Sequence, residues 1–148
     1  FDLIEGSMEE ALDLYFQHGT IIVNSRDLAM IGATLANGGI NPVTGEQAIA
    51  ADLVQNVSSV IMTCGMYERS GEWMRQVGMP AQTCRSGALM ALVPQKLGLG
   101  VFSPHLDDQG NSVRAMRICE AISRDHHLHL FDIYERNQEM MKYIEQVN

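Results

Sequence analysis

Residues 88–103 read ALMALVPQKLGLGVFS. Two short apolar runs, 88–93 and 99–103, are each followed by a proline, and only residues 94–98 connect them. Because short connections of this kind join antiparallel strands, the stretch predicts a β-hairpin. The runs are apolar without alternation, so we expect both faces of the sheet to be covered.

Helical signals precede the predicted hairpin. Ser7 and Glu10 have the S-x-x-E spacing of a capping box, which predicts a helix over residues 8–17. Ser25 is the expected cap of a second helix, which should end at residues 37–39, Asn-Gly-Gly, because glycine tolerates the left-handed conformation that closes a helix.

A third helix has the clearest helical period in the chain. Its apolar residues recur on one helix face and end before Cys64: Leu53, Val54, Val57, Val60 and Ile61. Residues 70–77 predict a short fourth helix, and Asn111 or Ser112 can cap a fifth. The fifth helix is expected to turn four residues inward: Ala115, Ile118, Cys119 and Ile122. A final helix is expected from about Ile133.

The order of these elements indicates one unit. The chain has 148 residues, of which 46% are hydrophobic, and no internal repeat or low-complexity linker divides it. Helices that surround a single hairpin predict the α/β (α+β) class, with helices packed on a small antiparallel sheet.

Charge and cysteine usage exclude several classes of protein. Ten Lys and Arg against 18 Asp and Glu give a net charge of -8, which repels nucleic acid and anionic membranes. The longest uncharged run, residues 28–45, contains Asn, Gly and Pro, so we expect no membrane span. The three cysteines, Cys64, Cys84 and Cys119, form no CxxC pair, which favours a reducing, cytoplasmic setting over a disulfide framework.

Two tyrosines are candidate functional residues. Tyr15 and Tyr67 each lie beside a helix end or a glycine, where a phenol can donate a hydrogen bond or act as a base. Packing in the core is the alternative for both. The three histidines at 126, 127 and 129 and the pair at 107–108 lack the ligand spacing of a metal site, so we expect turns there.

Five motifs occur together along the chain. They are LDLYFQ at 12–17, ATLANGG at 33–39, NPVTGE at 41–46, CGMY at 64–67 followed by Ser70-Gly71, and SPHLDDQGNSV at 103–113. In this order and spacing they resemble the serine-dependent glutaminases, a branch of the serine β-lactamase-like fold. The resemblance covers residues 8–123 and implies part of a β-lactamase/transpeptidase-like domain.

The resemblance implies hydrolysis of L-glutamine to L-glutamate and ammonia through a serine ester, without a metal or other cofactor, in a homo-oligomer. In that family an S-x-x-K motif near the start of the catalytic domain supplies the nucleophile. This chain has only Lys96 and Lys142, and neither has a serine three residues earlier. We therefore expect residues 1–148 to be the C-terminal portion of one catalytic domain, inactive alone, whose N-terminal portion precedes Phe1.

The resemblance also assigns residue roles. Tyr67 matches the family tyrosine that exchanges a proton with the nucleophilic serine, so it is the expected catalytic residue. Tyr15 matches a tyrosine that contacts substrate. The backbone amide of Arg85 occupies the position of an oxyanion donor. The expected substrate-binding residues are therefore Tyr15, Tyr67 and Arg85.

One stretch departs from the family pattern. Residues 82–85 are Gln-Thr-Cys-Arg, where the family has Lys-Ser-Gly-Val. Without the lysine at Gln82, a positive charge that favours an ionised Tyr67 is lost, and Cys84 restricts the backbone more than glycine does. We expect reduced activity. The alternatives are a non-catalytic homologue that serves as an oligomerisation or partner-binding module, and a related serine hydrolase acting on another amide.

Overall fold

The computed structural model describes residues 6–132, which form helices around one small sheet. Its elements, in chain order, are α1 (Met8–Gly19), α2 (Ser25–Ala36), α3 (Ala51–Cys64), a 3-10 turn (Tyr67–Arg69), α4 (Ser70–Gln76), β1 (Ala81–Thr83), β2 (Ala88–Val93), β3 (Leu97–Phe102) and α5 (Val113–Asp125). The predicted final helix from Ile133 lies outside the described residues.

The sheet is antiparallel with the strand order β1-β2-β3. The predicted hairpin is confirmed, but its second strand begins at Leu97 rather than at residue 99, because Val93 pairs with Leu97 and Leu92 with Gly98. Strand β1 was not predicted. It is three residues long and pairs with β2 from Ala81↔Ala91 to Thr83↔Leu89, so tertiary pairing defines it rather than a local apolar pattern.

One face of the sheet packs against α4 and α5. Its buried cluster includes Trp73, Met79, Leu89 and Cys119. The indole Nε1 of Trp73 donates a 2.7 Å hydrogen bond to the carbonyl of Met79, which joins the end of α4 to the segment before β1. Burial raises the pKa of the Cys119 thiol to about 12, as expected for a sulfur without water around it.

The other face of the sheet packs against α2. Leu35 and Leu92 are buried together there. A Cβ at Gly98 would collide with the backbone of Ala33, and one at Gly100 would collide with the carbonyl of Ser25. The two glycines therefore let α2 lie directly on β3, and both faces of the sheet are covered, as predicted.

The helix caps and buried faces correct two details of the sequence analysis and confirm one. The cap of α2 is Asn24 rather than Ser25, because the Asn24 side chain accepts from the amides of Arg26 and Asp27. Ser112 caps α5, as one of the two predicted candidates. Ile118 is 44% exposed, so its predicted inward position is wrong. Ala115, Cys119 and Ser123 of α5 are buried, and Ile122, also predicted to face inward, packs partly against the same core cluster.

Helices α1 and α3 begin and end close to their predicted positions but bury no residue completely among the described part of the chain. On α3, Val54 and Ile61 pack partly against the α2 side of the core, whereas Leu53 and Val60 are exposed. Within residues 6–132, none of the helices combines the length and the hydrophobicity of a membrane span.

Candidate active site

A cleft of about 740 Å³ lies where the end of α3, the 3-10 turn, the β1–β2 loop and the turn before α5 meet. It is lined by seven residues: Thr63, Cys64, Tyr67, Glu68, Arg85, Asp108 and Gln109. Two of the three residues expected at the site, Tyr67 and Arg85, therefore face the same space although 18 positions separate them in sequence.

Tyr67 occupies a left-handed backbone conformation, with φ of 51°. This conformation is sparsely populated by bulky residues and persists only where surrounding contacts hold it. The buried Ser70 provides two of those contacts: its Oγ accepts from the Met66 amide at 3.1 Å and its hydroxyl donates to the Tyr67 carbonyl at 2.8 Å. The phenol is thereby fixed at the cleft, and Tyr67 is 49% exposed. Tyr67 is therefore not packed into the core that residues 6–132 form.

Gly65 brings the Tyr67 turn against the sheet. A Cβ at this position would collide with the carbonyl oxygens of Ala81 and Ile61. The Gly65 carbonyl accepts a 2.9 Å hydrogen bond from the Thr83 amide. The glycine therefore serves close contact between the end of α3 and β1, and this contact places Tyr67 beside the loop that carries Arg85.

The loop between β1 and β2 is a tight turn. The Cys84 amide donates to the Ala88 carbonyl and the Gly87 amide donates to the Cys84 carbonyl, both at 2.9 Å. Gly87 has φ of 93°, and a Cβ there would collide with the backbone of Ser103. Tight bonding of this loop fixes the position of the Arg85 amide.

Cys84 changes the electrostatics of that turn. The pKa of the Cys84 thiol is lowered, first by a hydrogen bond from the Ser86 hydroxyl and then by one from the Ser86 backbone amide. Partial burial opposes this shift, and the Arg85 amide adds a further lowering. The Arg85 amide, which the resemblance assigns to an oxyanion, makes the smallest of these contributions.

The remaining expected residues lie elsewhere. Tyr15 is on α1, 72% exposed, in edge contact with Phe16 and not among the residues that line the cleft. The Gln82 side chain extends from the exposed side of β1 and donates to the Thr83 carbonyl at 3.1 Å. The structure thus joins Tyr67 with Arg85 and leaves Tyr15 apart from both.

The predicted turn at residues 107–108 is confirmed and has a defined internal structure. One oxygen of Asp107, Oδ1, accepts from the amides of Gln109 at 3.0 Å and Asn111 at 2.9 Å. Near the end of the described chain, His127 lies 2.9 Å from an Asp132 carboxylate oxygen. Within residues 6–132, no three His, Cys, Asp or Glu side chains are arranged to hold a metal ion.

Several residues of the site were not found from the sequence. Glu68 and Gln109 line the cleft, and Ser70 holds the Tyr67 turn, although the sequence analysis used Ser70 only as part of a motif. Gln109 gave no local signal, because only the packing of the turn before α5 brings it to the cleft. The available sequence signal for Ser70 was its place in the motif three residues after Tyr67.

Comparison with known proteins decides the family. The Glutaminase family model matches residues 1–131 of the 148. This chain belongs to the glutaminase family. A glutaminase of Microcystis aeruginosa is 48% identical over 98% of this chain and 43% of its own length. A glutaminase of Trichormus variabilis is 52% identical over 89% of this chain and 40% of its own length. The chain therefore spans less than half the length of these curated relatives.

Solved structures agree on the fold. The protein Mglu has a TM-score of 0.83 and 40% identity, over 88% of this chain and 33% of its own. A Bacillus subtilis glutaminase has a TM-score of 0.82 and 34% identity, over 86% of this chain and 46% of its own. Its structure is a covalent complex with 5-oxo-L-norleucine, formed by reaction with 6-diazo-5-oxo-L-norleucine. The β-lactamase-like fold class expected from the sequence is confirmed for this glutaminase chain.

Proposed function

We propose that this chain is the C-terminal portion of a glutaminase catalytic domain that hydrolyses L-glutamine to L-glutamate and ammonia. The observation that carries the proposal is the cleft shared by Tyr67 and the Arg85 loop, in a chain that matches the glutaminase family over residues 1–131. The nucleophilic serine would come from an S-x-x-K segment outside this chain, because residues 1–148 contain no such motif.

The proposed reaction proceeds in two halves. The serine oxygen attacks the side-chain amide carbon of glutamine. The C–N bond then breaks, and the amide nitrogen takes up a proton and leaves as ammonia. Water hydrolyses the resulting ester to glutamate. Tyr67 would exchange the proton with the serine, which requires a phenol held at the cleft. The covalent adduct of the Bacillus subtilis relative supports a covalent step in this family.

The Arg85 amide would donate to the oxyanion of the tetrahedral intermediate. Tight bonding of the 84–87 turn supports this role, because a donor acts best when it is already in position. Cys84 stands where the family has glycine, and its side chain restricts the backbone of this turn more than glycine would. Tyr15 would contact substrate once α1 packs against the remainder of the domain, and its exposed phenol is compatible with that.

We further propose that the protein is a homo-oligomer that acts in the cytoplasm. Exposed apolar side chains on α1 and α3 support association with other protein surfaces, since large exposed apolar areas favour contact. Three free cysteines, without a disulfide among them, support a reducing compartment.

The proposal is tested with a chimera in which this chain replaces the matched 145-residue segment of the Microcystis aeruginosa glutaminase. Ammonia release from L-glutamine is measured for the chain alone, for the chimera and for the chimera with Tyr67→Phe. We expect no release from the chain alone and clear release from the chimera. Tyr67→Phe should lower that rate at least about 100-fold, the lower range for loss of a general acid–base group.

The outcomes separate the alternatives. A folded chimera that releases no ammonia from glutamine would contradict the proposal and favour the non-catalytic module, and release from another amide alone would favour a different hydrolase. If Cys84 and the missing lysine limit the rate, the double variant Gln82→Lys and Cys84→Gly in the chimera releases ammonia faster. An unchanged rate would show that these departures do not limit it.

A further inference from the structure

Arg69 connects two segments that line the proposed active site. We call residues 66–70 the Tyr67 turn and residues 107–111 the Asp107 turn. The Arg69 Nε donates a 2.6 Å hydrogen bond to the side-chain oxygen of Gln109. The same guanidinium lies 3.6 Å from Asp107 Oδ2, measured from an Arg69 terminal nitrogen. One side chain therefore reaches two residues of a turn 40 positions away in sequence.

The Asp107 turn is built to receive this cation. Asp107 uses Oδ1 to accept from two backbone amides within its own turn, whereas its Oδ2 is buried and has no hydrogen-bond partner among the described residues. The Asp107 side chain is only 19% exposed. A partly buried carboxylate oxygen with no donor of its own is stabilised by a nearby guanidinium more than an exposed carboxylate is.

Both ends of this connection belong to the cleft wall. Tyr67 and Glu68 precede Arg69 directly and line the cleft, and Asp108 and Gln109 line it from the opposite segment. Arg69 and Asp107 themselves line a second groove of about 300 Å³. Arg69 therefore joins two turns that each contribute residues to the cleft wall, and the loss of its contacts would let these turns separate.

We propose that Arg69 is a positioning residue that holds the Asp107 turn against the Tyr67 turn and so keeps the Tyr67 phenol in its place at the cleft. Ser70 fixes the backbone of the Tyr67 turn from within, and Arg69 fixes the turn to its neighbour. The role assigned to Tyr67 rests on the proposed function, but the connection itself does not. The Arg69 Nε also lies 4.0 Å from Glu72 Oε2. Because Glu72 is only three residues away in sequence, this contact does not connect separate segments.

The connection is tested first by amide hydrogen exchange on the chain itself. Arg69→Met keeps most of the aliphatic stem and removes the cation and its donors. We expect amides of the Asp107 turn, Gln109 and Asn111 above all, and those of the Tyr67 turn to exchange about tenfold faster. Arg69→Lys keeps the charge without the planar fork and should give a smaller increase.

Arg75→Met is the matched control. Arg75 lies on α4, the helix that directly follows Arg69; it is exposed and does not line the cleft. If exchange in the two turns rises no more with Arg69→Met than with Arg75→Met, the proposal is wrong. Should Arg69→Met fail to fold, Asp107→Asn serves instead, because its Oδ1 still accepts the two amides while the charge that faces Arg69 is gone.

Kinetics of the chimera then separate positioning from mere stability. Arg69→Met should lower kcat about tenfold, because the reacting phenol is displaced, with little change in KM and partial rescue by Arg69→Lys. A fully active Arg69→Met chimera would overturn the positioning role. An inactive wild-type chimera would contradict the proposed function instead, and the exchange experiment would still decide whether Arg69 connects the two turns.

Discussion

Helices α1 and α2 begin alike and end in different surroundings. Each has 12 residues, and each starts with a complete capping box, from Ser7 and Glu10 in α1 and from Asn24 and Asp27 in α2. Yet α2 buries four residues against the sheet, whereas α1 buries none among the described part of the chain. Local signals therefore determine that a helix forms, and the surface opposite it determines whether the helix contributes to the core.

The opposite surface of α2 is supplied by the sheet. Gly98 and Gly100 of β3 remove the side chains that would hold α2 away, and Leu35 then reaches Leu92. Among residues 6–132 the apolar face of α1 has no such partner, since Leu12 and Phe16 are exposed. Because curated relatives are more than twice as long as the segment matched, we infer that the remainder of the domain covers α1.

We expect the largest difference in the free energy of unfolding from two glycine substitutions, one in the strand that contacts α2 and one at the end of α1. Gly98→Val places a side chain on the backbone of Ala33 in α2, and this should lower the free energy of unfolding by about 3 kcal/mol. Gly19→Ala at the end of α1 meets no atom within 4 Å and should change it by less than about 0.5 kcal/mol. Urea denaturation of the chain measures both, and similar losses would contradict the comparison.

Truncation of one leucine on each helix should give the next largest difference in the free energy of unfolding. Leu35→Ala removes a side chain that is 4% exposed and should cost about 2 to 4 kcal/mol, from lost burial plus a cavity. Leu12→Ala removes one that is 44% exposed and should cost less than about 0.5 kcal/mol in the chain alone. In the chimera the Leu12→Ala cost should rise. A Leu12 cost that is the same in both proteins would count against a covering surface for α1.

Substitution of the capping residues should give the smallest difference in the free energy of unfolding between the two helices. Asn24→Ala should lower the free energy of unfolding by about 1 kcal/mol, because α2 unfolds together with the sheet on which it packs. Ser7→Ala removes a similar cap from α1 but should leave the urea midpoint unchanged and reduce only the helicity of α1, seen by amide chemical shifts. A global loss from Ser7→Ala would show that α1 is coupled to the core.

The sequence predicted elements whose signals lie within a few residues. The capping box of α1, the apolar period of α3 and the two runs of the hairpin are of this kind, and each is confirmed. Strand β1 was missed because three residues after a proline gain strand geometry only by pairing with β2. Ile118 was misplaced because helical period alone does not reveal how wide a stripe the sheet covers.

The candidate site divides in the same way. Tyr67 and Arg85 came from motif resemblance, and the structure adds the reason they meet, since Gly65 allows the end of α3 to touch β1. The contact of Arg69 with Gln109 could not be predicted, because only the folded chain brings these two residues together. The effect of the Ser86 hydroxyl on the pKa of the Cys84 thiol likewise depends on the geometry of the turn.

The central claim is that this chain is one portion of a larger catalytic domain, and hydrogen exchange of α1 tests it most directly. Amide exchange over α1 and α2 is compared in the chain alone and in the chimera. We predict that α1 exchanges much faster than α2 in the chain alone and that α1 becomes protected in the chimera, with α2 changed little. If α1 gains no protection in a folded chimera, the claim that the remainder of the domain covers it is contradicted.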